Sequence, residues 1–216
     1  MPSVRLFRSR DASSAQGSKV TFDQDAEKWR RRAVERFIPK TFTRVDAEDR
    51  VNLLDDLGPL IKELEGMVTV EDWKNRESTD PTSKPRRGFR GIVRITSSDE
   101  ADSISVVRVW LRLWSYESFK RAEEGFAENV AMINIALQPG SLTGQEVGEL
   151  TRHNAEKEAA AIIFLRRNVV ASLACRAEIY SVAMKDPSLP LEGELKSKCE
   201  NFAKKIDEAV IRLTNQ

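Results

Sequence analysis

Histidine occurs once in the chain, at His153, inside the polar stretch TRHNAEKE. An imidazole acts as a general base only when the fold brings it a nucleophile or an orienting acid. Glu149, Glu156 and Ser141 are its sequence neighbours, and their spacing matches no catalytic arrangement. The plain reading is an exposed loop histidine; an enzyme built around His153 is the alternative. A metal held by one histidine would need carboxylates or thiolates for its other positions. Adjacent acids occur at Asp55-Asp56, Asp99-Glu100 and Glu123-Glu124. Neighbouring residues on a helix point apart, so the helical pairs make no acid–base dyad. Cys175 and Cys199 are the two cysteines, and their separation fits no zinc pattern. They read as buried thiols packed like small apolar residues. A disulfide between the last strand and the last helix is the other reading, and it would require an oxidising compartment. HExxH, GxSxG, the P-loop, Cys-x-x-Cys and a GxGxxG opening a helix are all missing. No catalytic residue, metal ligand or cofactor is therefore expected.

The residues best suited to recognition are Arg108, Trp110, Arg112 and Trp114, which alternate along the run ISVVRVWLRLW. Tryptophan and arginine are enriched at interface hot spots, and aromatic–basic sheets also stack nucleic-acid bases. The bland alternative buries the tryptophans under helices, with the arginines paired to acids at the rim. A second basic group, Lys84, Arg86, Arg87, Arg90 and Arg94, has no acid within it, and Arg166-Arg167 marks a hairpin tip. Joined into one surface, these would attract an acidic partner, RNA or anionic lipid. Separate, they are solvated loop charges.

These residues need elements to hold them. Phe22, Ala26, Trp29, Ala33 and Phe37 recur at helical steps and predict an amphipathic helix over 23–38, with Arg30, Arg31 and Arg32 on its far side. A second helix is expected from Asp46, with Val51, Leu54, Leu57, Ile61 and Leu64 inward and a break or kink at Gly58-Pro59. MVTVEDW predicts a short strand, and 75–88 a loop. From Phe89 the period changes to two, giving a long hairpin whose second strand turns Val107, Val109, Leu111 and Leu113 to one face. Ser115 is expected to cap the next helix, striped by Phe119, Ala122, Phe126, Val130, Ile133 and Leu137. After a loop over 140–157, with a short strand near Val147, AAIIFL and VVASLAC flank Arg166-Arg167-Asn168 as a second hairpin, with Asn suited to positive φ. A last helix over 192–214 carries Leu195, Cys199, Phe202, Ile206 and Leu213.

The fold class is thus α+β: an antiparallel sheet of two long hairpins covered by helices (ββα twice), both helices expected over one sheet face. Residues 1–20 read as a flexible tail, 21–66 as an N-terminal helical extension and 67–216 as the antiparallel domain. The Arg- and Ser-rich start has the composition of a transit peptide but no apolar core of a secretory signal, which favours the cytoplasm. At 40% hydrophobic and 32% charged, the 216-residue chain has ordinary globular composition. Its net charge of +1 lacks the basic excess that phosphate neutralisation gives a dedicated nucleic-acid binder. No apolar run reaches the ~20 residues of a membrane span.

The strand VVRVWLRLW running into SYESFKRAEEGF, the hairpin IIFLRRNVVASLA and the terminal helix LKSKCENFAKKIDEAVIRL together resemble, over 67–213, the Mog1/PsbP-like α+β proteins. That fold group includes bacterial lipoproteins and secretion-associated chaperones. The resemblance implies a non-catalytic scaffold that binds another protein. The expected function is accordingly a protein-binding or chaperone-like module using the Arg108–Trp114 face. Binding of nucleic acid or an anionic surface through the arginine-rich hairpins is the runner-up.

Overall fold

The computed structural model describes residues 13–42, 53–76, 87–97, 102, 104–133, 136–156, 159–178 and 191–215. Four helices and seven strands are formed there: α1 (Ser13–Phe37), α2 (Gly58–Glu65), β1 (Thr69–Arg76), β2 (Arg87–Thr96), β3 (Val106–Ser115), α3 (Phe119–Met132), β4 (Gln138–Pro139), β5 (Leu150–Glu156), β6 (Ala159–Arg166), β7 (Val169–Ala177) and α4 (Leu191–Thr214). All strands join one antiparallel sheet in the order β1-β2-β3-β7-β6-β5-β4. The two expected hairpins, β2–β3 and β6–β7, meet through the β3–β7 pairing and form its centre. The expected α+β class is the one observed.

Alternation along β3 buries Val107, Val109, Leu111 and Leu113 on one face. On that face they meet Phe89 and Val93 of β2, Ala171, Leu173 and Cys175 of β7, and the stripe Leu195, Cys199, Phe202, Ile206 and Val210 of α4. Leu54, Leu57, Leu60 and Leu64 join the same core, so the segment assigned by sequence to an extension helps to build it. Helix α3 lies on the opposite face. Its Ala122, Phe126 and Val130 pack on Ile163, Leu165 and Val170. The expectation that both helices cover one face is therefore corrected. The sheet centre is sandwiched, which is why β6 is buried along almost its whole length. Tyr116 closes on this second core, and Gly125 leaves room for its ring.

Several boundaries differ from the sequence expectation for identifiable reasons. Of the expected break or kink at Gly58-Pro59, the break is seen: α2 starts there, because a proline in the first helical turn loses no intrahelical bond. Asp46 and Val51 lie outside the described residues. Ser118, not Ser115, caps α3, accepting from the Arg121 amide at 3.3 Å; Ser115 is the buried last residue of β3. The β6–β7 turn places its positive φ of 54° on Arg167. Asn168 is instead fully buried. Its amide nitrogen donates to the carbonyls of Leu54 (3.1 Å) and Tyr116 (2.8 Å), and its oxygen accepts from the Leu54 amide at 2.8 Å. One side chain thus ties three distant chain segments together. Helix α1 begins at Ser13, within the segment read as a tail.

Cys175 of β7 and Cys199 of α4 are bonded, with Cα atoms 6.0 Å apart, in place of two free thiols. Such bonds are common in oxidising compartments and rare in a reducing cytosol.

Candidate functional site

The sheet face that carries α3 is only half covered. Along β3 it presents Arg108, Trp110, Arg112 and Trp114, and the register sets the neighbours of each. Trp114 lies between Gly88 and Val170, at the end sheltered by α3, and is half-buried against the second core. Trp110 lies between Ile92 and Ala174 and remains 40% exposed in mid-sheet. The two tryptophans therefore divide: one packs under the chain's own helix, and the other faces solvent.

The arginines divide as well. Arg94 and Arg108 sit opposite each other on β2 and β3 and share two carboxylates. Glu178 accepts from Arg94 at 3.0 Å and pairs with Arg108 at 3.1 Å, while Glu71 pairs with Arg94 and accepts from Arg108 at 3.3 Å. Glu71 reaches this face by alternation, two residues after Thr69, which pairs with Arg94. Arg90 and Arg112, the next cross-strand pair, are exposed, and no described acid pairs with either. Arg176, opposite Arg108 on β7, is exposed and unpaired in the same sense. These three cations surround Trp110 and the flat step formed by Ala174 and its neighbour Ala161. Arg90 and Arg176 reach this surface through register, so the alternation within β3 alone could not assign them.

The remaining basic residues do not converge here. Arg166 faces the opposite side of the sheet, where Asp207 of α4 accepts its Nε at 2.6 Å and its Nη2 at 2.7 Å. Arg167 occupies the hairpin turn, its backbone amide donating to Glu149 at 3.2 Å. Arg86 and Lys84 lie outside the described residues, and Arg87 is placed only as the first residue of β2. A single positive strip joining the β2 arginines to Arg166 is not what forms, because Asp207 holds Arg166 on the other face.

His153 sits in β5, between Gln138 and Ile162, rather than in a loop. Burial, followed by the nearby Lys196 ammonium, holds its imidazole below the usual histidine range. No described acid or hydroxyl is hydrogen-bonded to it, so the triad geometry of nucleophilic catalysis is not assembled around it. Among the described residues no three of His, Cys, Asp and Glu gather as a metal would require. The buried acids serve the fold. Glu200 accepts from the Thr143 amide at 2.6 Å, and Asp207 also accepts from the Gly148 amide at 3.0 Å, so two carboxylates of α4 clasp the loop leading into β5. Glu200's carboxyl is pushed up by burial, against the pull of those hydrogen bonds.

A cleft of about 540 Å³ opens between that loop and the end of α1, lined by Ser141, Glu146, Glu149, Thr151, Arg152 and Arg166 among others. Most of its polar groups are engaged internally. Thr151 donates to the Val147 carbonyl, and Arg152 donates to the Phe37 carbonyl at 3.0 Å. No described helix is long and apolar enough to cross a membrane. No protein-family model matches the chain, and neither a curated protein nor a solved structure does.

Proposed function

We propose that the protein is a non-catalytic, partner-binding module whose half-open sheet face receives an acidic segment of another protein. The observation that carries this reading is Trp110. A tryptophan 40% exposed in mid-sheet, ringed by Arg90, Arg112 and Arg176 without described acid partners, is the arrangement of an interface anchor and not of a core. The ring supplies apolar area at low conformational cost, and the guanidinium groups offer bidentate hydrogen bonds to carboxylates. The resemblance to Mog1/PsbP-like scaffolds points the same way. Nucleic-acid binding is the weaker reading, because Glu71 and Glu178 neutralise the two further arginines of this face and Arg166 is turned away.

The test is fluorescence anisotropy of labelled Asp/Glu-rich peptides containing one aromatic residue, against the full chain and its Trp110→Ala and Arg112→Glu variants. Truncating an anchor of this kind removes ~2 kcal/mol or more of binding, so each variant should weaken binding at least tenfold with an unchanged melting temperature. Failure of every acidic peptide to bind, or equal binding by both variants, refutes the assignment. Tighter binding of a single-stranded oligonucleotide than of any peptide transfers the site to the nucleic-acid reading.

A further inference from the structure

Helix α1 departs from its own sequence pattern at one position of the stripe: Ala33 is buried and Phe37 packs on the second core as the stripe requires, but Trp29 does not turn inward. The apolar stripe places Trp29 inward and Arg30 outward, yet Arg30 is 6% exposed and Trp29 43%. Arg30 is committed to the interior by its Nε hydrogen bond to the buried Glu128 of α3 at 2.6 Å, with Glu27 bonded to its Nη1 at 2.6 Å. With Arg30 drawn inward beside the buried Ala33, the inward face centres between them, and Trp29 falls on the solvent side. One and two turns on, Arg32 and Arg36 share its side of the helix, with Lys28 and Arg31 exposed farther round, and no described acid pairs with any of the four. Asp25 and Glu35 are the unpaired acids of the same surface. Local rules broken at an identifiable cost mark functional positions more often than defects.

We propose that this outward face of α1 attaches the protein to an anionic phospholipid surface. Helix α1 packs on α3 through its Arg30 side, so the opposite side is an outer surface, and its cations are complementary in charge to a plane of anionic headgroups. Lysine and arginine supply long-range attraction to anionic headgroups. An indole beside them suits the headgroup level, where its apolar body and polar N–H are both accommodated. A second copy of the chain is disfavoured by like charge. The site is separate from Trp110 and does not rest on the proposed peptide-binding function.

The probes are vesicles of phosphatidylcholine alone and vesicles with roughly 30% phosphatidylserine, sedimented with the full chain at low and physiological salt. Co-sedimentation with the anionic vesicles only, weakening as salt rises, is expected. Each cation near the surface is worth about 1 kcal/mol, which converts to ~5-fold in partitioning. Arg32→Gln with Arg36→Gln should therefore lower partitioning about 25-fold by the same constant. Trp29→Ala should lower it as well and should remove quenching by brominated lipid, while Trp110→Ala leaves both unchanged. All these positions are exposed, so the variants should melt with the wild type. The proposal is overturned by absence of binding to anionic vesicles, by equal binding to neutral ones, by indifference to these substitutions, or by the α1 cations engaging an oligonucleotide while the vesicles stay free.

Discussion

At the residue scale, His153 offers the cleanest measurement, because it is the only imidazole in the chain. It is half-buried on β5, and both causes acting on it, burial first and the Lys196 charge second, oppose protonation. In the unfolded chain the imidazole regains its ordinary value of 6.5. The unfolded state therefore binds a proton at a pH where the folded state does not, and stability falls as pH drops below 6.5 toward the folded value. Glu200 acts in the opposite sense, since its raised carboxyl pKa favours the folded state at low pH and that contribution is lost on raising the pH through it. The two are separated by difference. The single imidazole resonance should titrate below 6.5, and His153→Gln should flatten the stability profile just under that pH. A resonance titrating above 6.5 would mean that the imidazole gains a carboxylate partner on folding. The sequence hid this position, because Leu150, Arg152 and Asn154 alternate with Thr151, His153 and Ala155, and neither set is apolar enough to mark a strand face.

Among the elements, α3 shows how close packing sets a sign. Replacing a helix-interior glycine by alanine ordinarily stabilises by about 1 kcal/mol. At Gly125 a Cβ would stand 2.1 Å from the Tyr116 hydroxyl and 2.2 Å from Cζ, with the ring itself buried. Either the ring or the helix must move, and overpacking of this kind costs ~1–3 kcal/mol. Thermal or urea melts should therefore show Gly125→Ala less stable than wild type, and a Tyr116→Leu background should remove most of that difference. A stabilising Gly125→Ala would mean that the α3–Tyr116 contact is looser than its geometry. The elements most legible in the sequence were those with one pure period: the β2–β3 hairpin by alternation and α4 by its stripe from Leu195 to Leu213. The helix faces were less legible. The unbroken apolar run from Ala159 to Leu165 signals burial on both sides of the sheet, and it does not say which helix supplies each side. In α1 the buried Arg30–Glu128 pair accompanies the loss of Trp29 from a stripe that Ala33 and Phe37 keep, and a pair spanning 98 positions leaves no trace in local spacing. Trp110 and Arg112 could be placed on the proposed surface from β3 alone, whereas Arg90 and Arg176 needed the register.

On the scale of the whole molecule, the two sheet faces differ in their cover, and the proposed binding at Trp110 gives them separate tasks. One is sealed by α4 and α2, held by the principal core, the Arg166–Asp207 pair and the Cys175–Cys199 bridge. The other is closed by α3 at one end and left open around Trp110 at the other. The bridge spans 24 positions and closes a loop that includes the start of α4. Loops of this size lose ~3 kcal/mol of unfolded-state freedom on crosslinking, a large share of the ~5–15 kcal/mol that usually separates folded from unfolded domains. Both sulfurs are sealed, with Cys175 1% and Cys199 0% exposed. A reductant can therefore reach them only when α4 lifts from the sheet, and reduction should be slow in buffer and accelerate in mild denaturant. The Cys175→Ala/Cys199→Ala protein should melt lower and lose about 3 kcal/mol in denaturant titration. Its peptide affinity at the Trp110 face should stay at the wild-type value, because that face shares no side chain with the bridge. Rapid reduction of the native protein would show that α4 opens readily. A matching loss of Trp110-dependent binding would show that the sealed layer positions the open one, and the division of tasks between the two faces would fail.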